Sequence, residues 1–130
     1  MKTICALFLS LFIVISLLVS PCQADSQADK IRLTEIITAA NATKDAALGC
    51  TSTSNKKALQ AAKKAQALAT KVQREFRSLS EETKSSSAGM QLGKYVTNLA
   101  SSCRNLPHGV QTVSDDATSL IKHCYKMQNP

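Results

Sequence analysis

Between Ser54 and Leu79 the chain reads SNKKALQAAKKAQALATKVQREFRSL, with neither Gly nor Pro. Few conformations suit such a stretch of good helix formers. Its apolar residues recur at Ala58, Ala61, Ala65, Leu68, Val72, Phe76 and Leu79, the three-and-four spacing of one helix face. At about 100° per residue, Lys56, Lys57, Lys63, Lys64, Lys71, Arg74 and Arg77 fall on the other side. The segment predicts a helix with a dry side and a cationic side. A dry side needs partners, and the rest of the chain has to supply them.

Three further segments carry matching seams. Leu33, Ile36, Ile37, Ala40 and Ala47 line one face of a helix expected over about 28–48, with Ser26 as its cap and Gly49 ending it in the left-handed conformation. Cys50 follows in the turn. Leu92, Val96, Leu99, Cys103 and Leu106 define a helix over about 88–105, weakened near its start by Gly89 and Gly93. The polar run Ser80–Ser87 before it reads as a linker or a fraying extension of the preceding helix. Leu106-Pro107-His108-Gly109 breaks the pattern. Beyond it Val110, Val113, Ala117, Leu120, Cys124 and Met127 form a heptad-type seam over about 110–127. With the helix over 54–79, these make an all-α chain without sustained two-residue alternation. Short connections favour an antiparallel up-down four-helix bundle. Fewer, longer coiled-coil helices, or three helices with a loose first segment, are the other arrangements.

Residues 1–24 read as a cleaved signal peptide. Lys2 supplies the positive start, Ile4 to Val19 the apolar run, and Cys22-Gln23-Ala24 a small-residue cleavage region before Asp25. The run is short for a membrane span, which needs about 20 residues. Pro21 argues against acylation at Cys22. The expected product is one secreted, extracellular domain, 25–130. Its core is modest, with no Trp and with Ala abundant on the inward faces. At about 25 cal/mol per Å² of buried apolar area, such a core barely offsets about 1.5 kcal/mol of ordering entropy per residue. Cross-links would therefore matter.

In the up-down arrangement Cys50 and Cys103 lie at one end and Cys124 at the other. A rise of 1.5 Å per residue carries Cys124 well beyond the roughly 7 Å Cα separation that a bridge tolerates. The expectation is a Cys50–Cys103 disulfide in an oxidising compartment. Cys124 is then an unpaired thiol buried as a small hydrophobe, or the link of a homodimer. Retention of Cys22 would open a second bridge.

Catalytic and cofactor signatures are absent from the pattern. His123 and Cys124 diverge by about 100° on a helix, and there is no CxxC or HxxxH for zinc. Asp115-Asp116 suit the early part of their helix, and Glu81-Glu82 read as solvated charge. Asn41-Ala42-Thr43 is an N-glycosylation sequon in a helix. No metal, cofactor or active site is expected.

The chain is basic, with 16 Lys and Arg against 9 Asp and Glu and a net charge of +7. Such a balance suits an anionic partner, and no nucleic-acid motif appears. The leading expectation is a non-enzymatic secreted protein that acts by binding. Its basic helix face would dock on a lipid headgroup, a glycan or an acidic protein, or its seams would hold a small lipid-like ligand. The Ala-rich interior favours close helix packing over a roomy pocket. The alternative is a cationic membrane-active host-defence protein, although such helices usually present Trp, Phe or Leu where Ala dominates here. A structural or storage product is a third class, and an enzyme comes last.

Overall fold

The computed structural model describes residues 27–51 and 54–129. The expected signal peptide, its cleavage site, Cys22 and the Ser26 cap lie outside these residues. The described chain is all-helical, with no strand. Helix α1 spans 27–48, followed by a 3₁₀ turn Gly49–Thr51. Helices α2 (Asn55–Arg77), α3 (Glu81–Ser85), α4 (Ser87–Arg104) and α5 (Val110–Gln128) complete it.

Local chemistry starts each later helix. Ser54, Ser80 and Ser86 hold extended backbone angles and accept the N–H of Lys57, Thr83 and Gly89 respectively. Each hydroxyl thus satisfies one of the orphan donors of a first helical turn. Gly109 precedes α5 at φ 73°, the left-handed region that glycine enters without a Cβ clash.

Hydrogen bonds between helices fix their neighbours. Arg32 of α1 donates to Glu75 of α2 at 2.9 Å. Gln66 Nε2 of α2 donates to the Cys103 carbonyl of α4 at 3.1 Å. His123 Nε2 of α5 meets the Ala88 carbonyl of α4 at 2.7 Å, and Ser102 of α4 bonds Asp116 of α5. Lys44 of α1 donates to Thr118 of α5 at 3.2 Å, and Gln128 Nε2 of α5 donates to Lys30 O and Thr34 Oγ1 of α1. Arg32 with Glu75, Ala88 with His123 and Lys30 with Gln128 join the early part of one helix to the late part of another, whereas Gln66 and Thr118 lie mid-helix.

The seams close on a single core. All five expected apolar residues of α1, and Leu92, Val96, Leu99 and Cys103 of α4, are buried. So are Val113, Ala117, Leu120 and Cys124 of α5, while Val110 and Met127 pack at its edge. Small side chains fill the α2 side, where Ala58, Ala62, Ala65, Ala69 and Val72 are buried.

Three expectations are corrected. The buried stripe of α2 includes Ala62 and Ala69, whereas Ala61, Leu68 and Phe76 are only half-buried. The dry face is turned toward α4, and that side carries Gln66, which bonds the Cys103 carbonyl. The polar run after α2 is a separate helical turn, α3, because Ser80 caps it and Ser86 starts α4. Gly49 is not left-handed. Among the described residues only Gly109 has a positive φ. Gly49 instead opens a 3₁₀ turn that lies close to α2, where a Cβ on it would sit 3.0 Å from Ala61 Cβ.

Candidate functional site

Helix α2 presents its basic residues outward. Lys56, Lys57, Lys63, Lys64, Arg74 and Arg77 are exposed and Lys71 is half-buried. They lie within about 160° of the helix circumference at 100° per residue. The one acid of α2 is Glu75, which the Arg32 guanidinium engages at 2.9 Å. The other ion pair among the described residues joins Lys84 to Glu81 at 2.8 Å. The cations of α2 therefore face solvent without a carboxylate partner.

The remaining acids sit elsewhere. Helix α1 balances Lys30, Arg32 and Lys44 against Asp29, Glu35 and Asp45, and α5 balances Lys122 and Lys126 against Asp115 and Asp116. Helix α4 has Lys94 and Arg104 and no acid. Helix α3 carries Glu82 besides the paired Glu81, and Asp116 reaches Ser102 of α4, so the unbalanced positive charge is concentrated on the outer face of α2, with Lys94 and Arg104 on the adjoining α4.

Where these two helices meet, a groove of about 300 Å³ is lined by Gln66, Ala69, Thr70, Gln73, Ala100, Cys103 and Arg104. Its rim is polar because Gln66, Thr70 and Gln73 recur four and three residues apart, along one edge of the buried face. Thr70 is turned back on its own helix, its hydroxyl donating to Gln66 O at 3.1 Å. Sequence reasoning found the basic residues but not this groove. The i, i+4, i+7 row of Gln and Thr was its signal, and only the position of α4 gives that row a second wall.

The cysteines do not form the expected bridge. Cys50, Cys103 and Cys124 are free and buried, and no pair lies at disulfide distance. The Cys50 thiol is turned toward the Ala58 carbonyl of α2, 3.6 Å away. Burial pushes all three thiols up, Cys103 to about 11 and Cys124 to about 12. At Cys103 the charge of Asp116 adds to burial, and so does the nearby Cys50. Cys124 is wholly enclosed in the α5 seam.

The sequon is split by burial. Asn41 is exposed, whereas Thr43 is fully buried with its hydroxyl donating to Ala39 O at 2.7 Å. His123 stacks obliquely on Tyr95, ring centroids 5.2 Å apart. His108 lies exposed in the connection before α5. Among the described residues no three His, Cys, Asp or Glu side chains group as metal ligands, and no helix is long and apolar enough to cross a membrane. Comparison with protein-family models, curated proteins and solved structures finds no match to this chain.

Proposed function

We propose that the chain is a small secreted, non-enzymatic binding protein, an up-down four-helix bundle that docks on an anionic extracellular partner through the exposed face of α2. The observation that carries this reading is the charge distribution. The cations of α2 lack carboxylate partners, and the helix beside them, α4, carries no acid at all. A surface with an excess of one sign attracts an oppositely charged partner and steers its approach. The apolar side of α2 is engaged in the core, which favours surface docking over insertion into a membrane. The close alanine contacts of α2 favour it over storage of a lipid-like ligand.

The test is charge reversal with the fold preserved. Lys56, Lys57 and Lys64 are exposed, and acidic side chains at the first two suit the positive end of the helix dipole. Lys56→Glu, Lys57→Glu and Lys64→Glu together should abolish binding to heparin and to poly-glutamate with the circular dichroism unchanged. Binding by the parent should weaken steeply as salt rises from about 0.1 to 0.5 M. A parent that binds neither polyanion at low salt, or a folded variant that binds as well as the parent, overturns the reading.

A further inference from the structure

We infer that the α2–α4 groove is a binding site for a linear sulfated glycan, a refinement that rests on the docking reading above. The groove joins two kinds of chemistry along one line. Its walls carry the unengaged Gln73 amide, with Arg104 from α4 beside it, and the oxygens of Gln66 and Thr70 as acceptors, since the Gln66 Nε2 and the Thr70 hydroxyl already donate within the protein. The same row of α2 continues to Lys63 before Gln66 and to Arg77 beyond Gln73. At 1.5 Å per residue these two cations bracket about 21 Å of helix. A ligand matching that sequence of groups is elongated, carries fixed negative charges at intervals, and offers hydroxyls between them. A sulfated polysaccharide has this composition.

Other anions fit less of the surface. An acidic peptide satisfies the lysines but has no need of an amide-lined groove. A lipid surface is flat and gains from apolar anchors, whereas none of the exposed large hydrophobics Ile31, Leu48, Leu59, Met90 and Tyr125 lines the groove. A single nucleic-acid strand gains from aromatic stacking platforms. The aromatics of α2 and α4, Phe76 and Tyr95, are half-buried and engaged, Phe76 beside Gly93 and Tyr95 against His123.

The side chains of Gln73 and Arg104 make no hydrogen bond or ion pair among the described residues, so truncating them removes no bond that holds the fold. Gln66 holds the Cys103 carbonyl and is left in place. The experiment compares heparin, poly-glutamate and phosphatidylserine vesicles, at matched charge and low salt, by titration calorimetry on the full secreted chain. Heparin should bind at least tenfold tighter than either of the others, a difference of about 1.4 kcal/mol. Gln73→Ala alone should weaken heparin binding and leave poly-glutamate binding unchanged, and adding Arg104→Gln should erase the preference by weakening heparin far more than poly-glutamate. Arg104→Gln alone should weaken heparin binding in part.

If heparin binds no tighter than poly-glutamate, or if the folded double variant keeps the preference, the groove is not a glycan site and charge-led docking alone stands. If the vesicles bind tightest, the partner is a lipid surface and the inference falls. Failure of the parent to bind any of the three overturns the docking reading itself.

Discussion

Asp29 and Ser80 stand 51 positions apart, and the Asp29 carboxylate accepts both the Ser80 backbone N–H at 3.0 Å and the Ser80 hydroxyl at 2.7 Å. The Thr83 hydroxyl bonds the same carboxylate. Ser80 is also the cap of α3, so one acid near the start of α1 ties that helix to the connection after α2. Asp29 is only 9% exposed. Burial alone would raise its pKa, but the bonds from Thr83 and Ser80 outweigh it and hold the carboxyl below its ordinary value.

The sign of the pH dependence follows. A carboxyl with a depressed folded pKa contributes stability above its unfolded value of about 3.9, and that contribution is lost as pH falls through the folded value. Hydrogen bonds to a charged group contribute about 1.5 to 3 kcal/mol. Asp29→Ala should therefore lower stability by about 2 kcal/mol at neutral pH, read by urea unfolding, and should narrow the loss of stability between pH 5 and 2. An unchanged acid limb in the variant would remove Asp29 from this role.

Gly89 and Gly93 should respond oppositely to alanine. Alanine in a helix gains about 1 kcal/mol over glycine. At Gly89, however, a Cβ would lie 1.8 Å from the Thr83 carbonyl oxygen and 2.9 Å from Lys84 Cα, both backbone atoms of α3. Either α3 or α4 must move, and overpacking of this kind typically costs about 1 to 3 kcal/mol or more. At Gly93 the Cβ meets Phe76 Cζ at 3.1 Å, the tip of a side chain that is only half-buried. Gly89→Ala should lower the thermal midpoint and Gly93→Ala should leave it level or raise it. Equal effects would mean that α3 does not pack on α4 as described.

These glycines also mark where the sequence stopped being readable. Seams of large residues in α1, α4 and α5 are legible because burying them dominates everything local. Helix α2 is harder. Ala61 and Ala62, or Leu68 and Ala69, differ by only 100° of rotation, and alanine on both flanks leaves periodicity unable to choose. Gly89 reads as a defect from propensity alone, since its packing partner Thr83 lies in a run of polar residues whose helical turn is set by Ser80 and Asp29. The basic face was visible because it needs only one helix. The groove was not, because Gln66, Thr70 and Gln73 become a wall only when Arg104 and Ala100 arrive from α4.

The sequon gives a prediction with two distinct readouts. Asn41 is exposed, so a glycan there extends into solvent, while Thr43 is sealed in the core. Expressed through a eukaryotic secretory pathway, the chain should lose mass on glycosidase treatment. Asn41→Gln should remove that loss without changing stability. Thr43→Val should remove it as well but cost about 1 kcal/mol, because the buried Ala39 carbonyl loses the bond from the Thr43 hydroxyl. Absence of any glycosidase-sensitive mass would eliminate the modification.

The thiols should make the fold sensitive to alkali. Cys103 and Cys124 are raised to about 11 and about 12 because burial disfavours the thiolate. An exposed thiol in the unfolded chain ionises near pH 8.5. Between that value and the folded values the unfolded chain has released protons that the fold still holds, so stability is full below about pH 8.5 and falls as pH rises toward 12. Thiolate is the reactive form, and native alkylation should therefore be slow at pH 8 and fastest at Cys50, which lies in the 3₁₀ turn. Cys124, enclosed in the α5 seam, should react only when urea opens the fold. Mass mapping after iodoacetamide treatment, with and without urea, reads this order directly. Rapid labelling of Cys124 under native conditions, or a Cys124-linked dimer formed without unfolding, would show that the α5 seam is open where the structure has it closed.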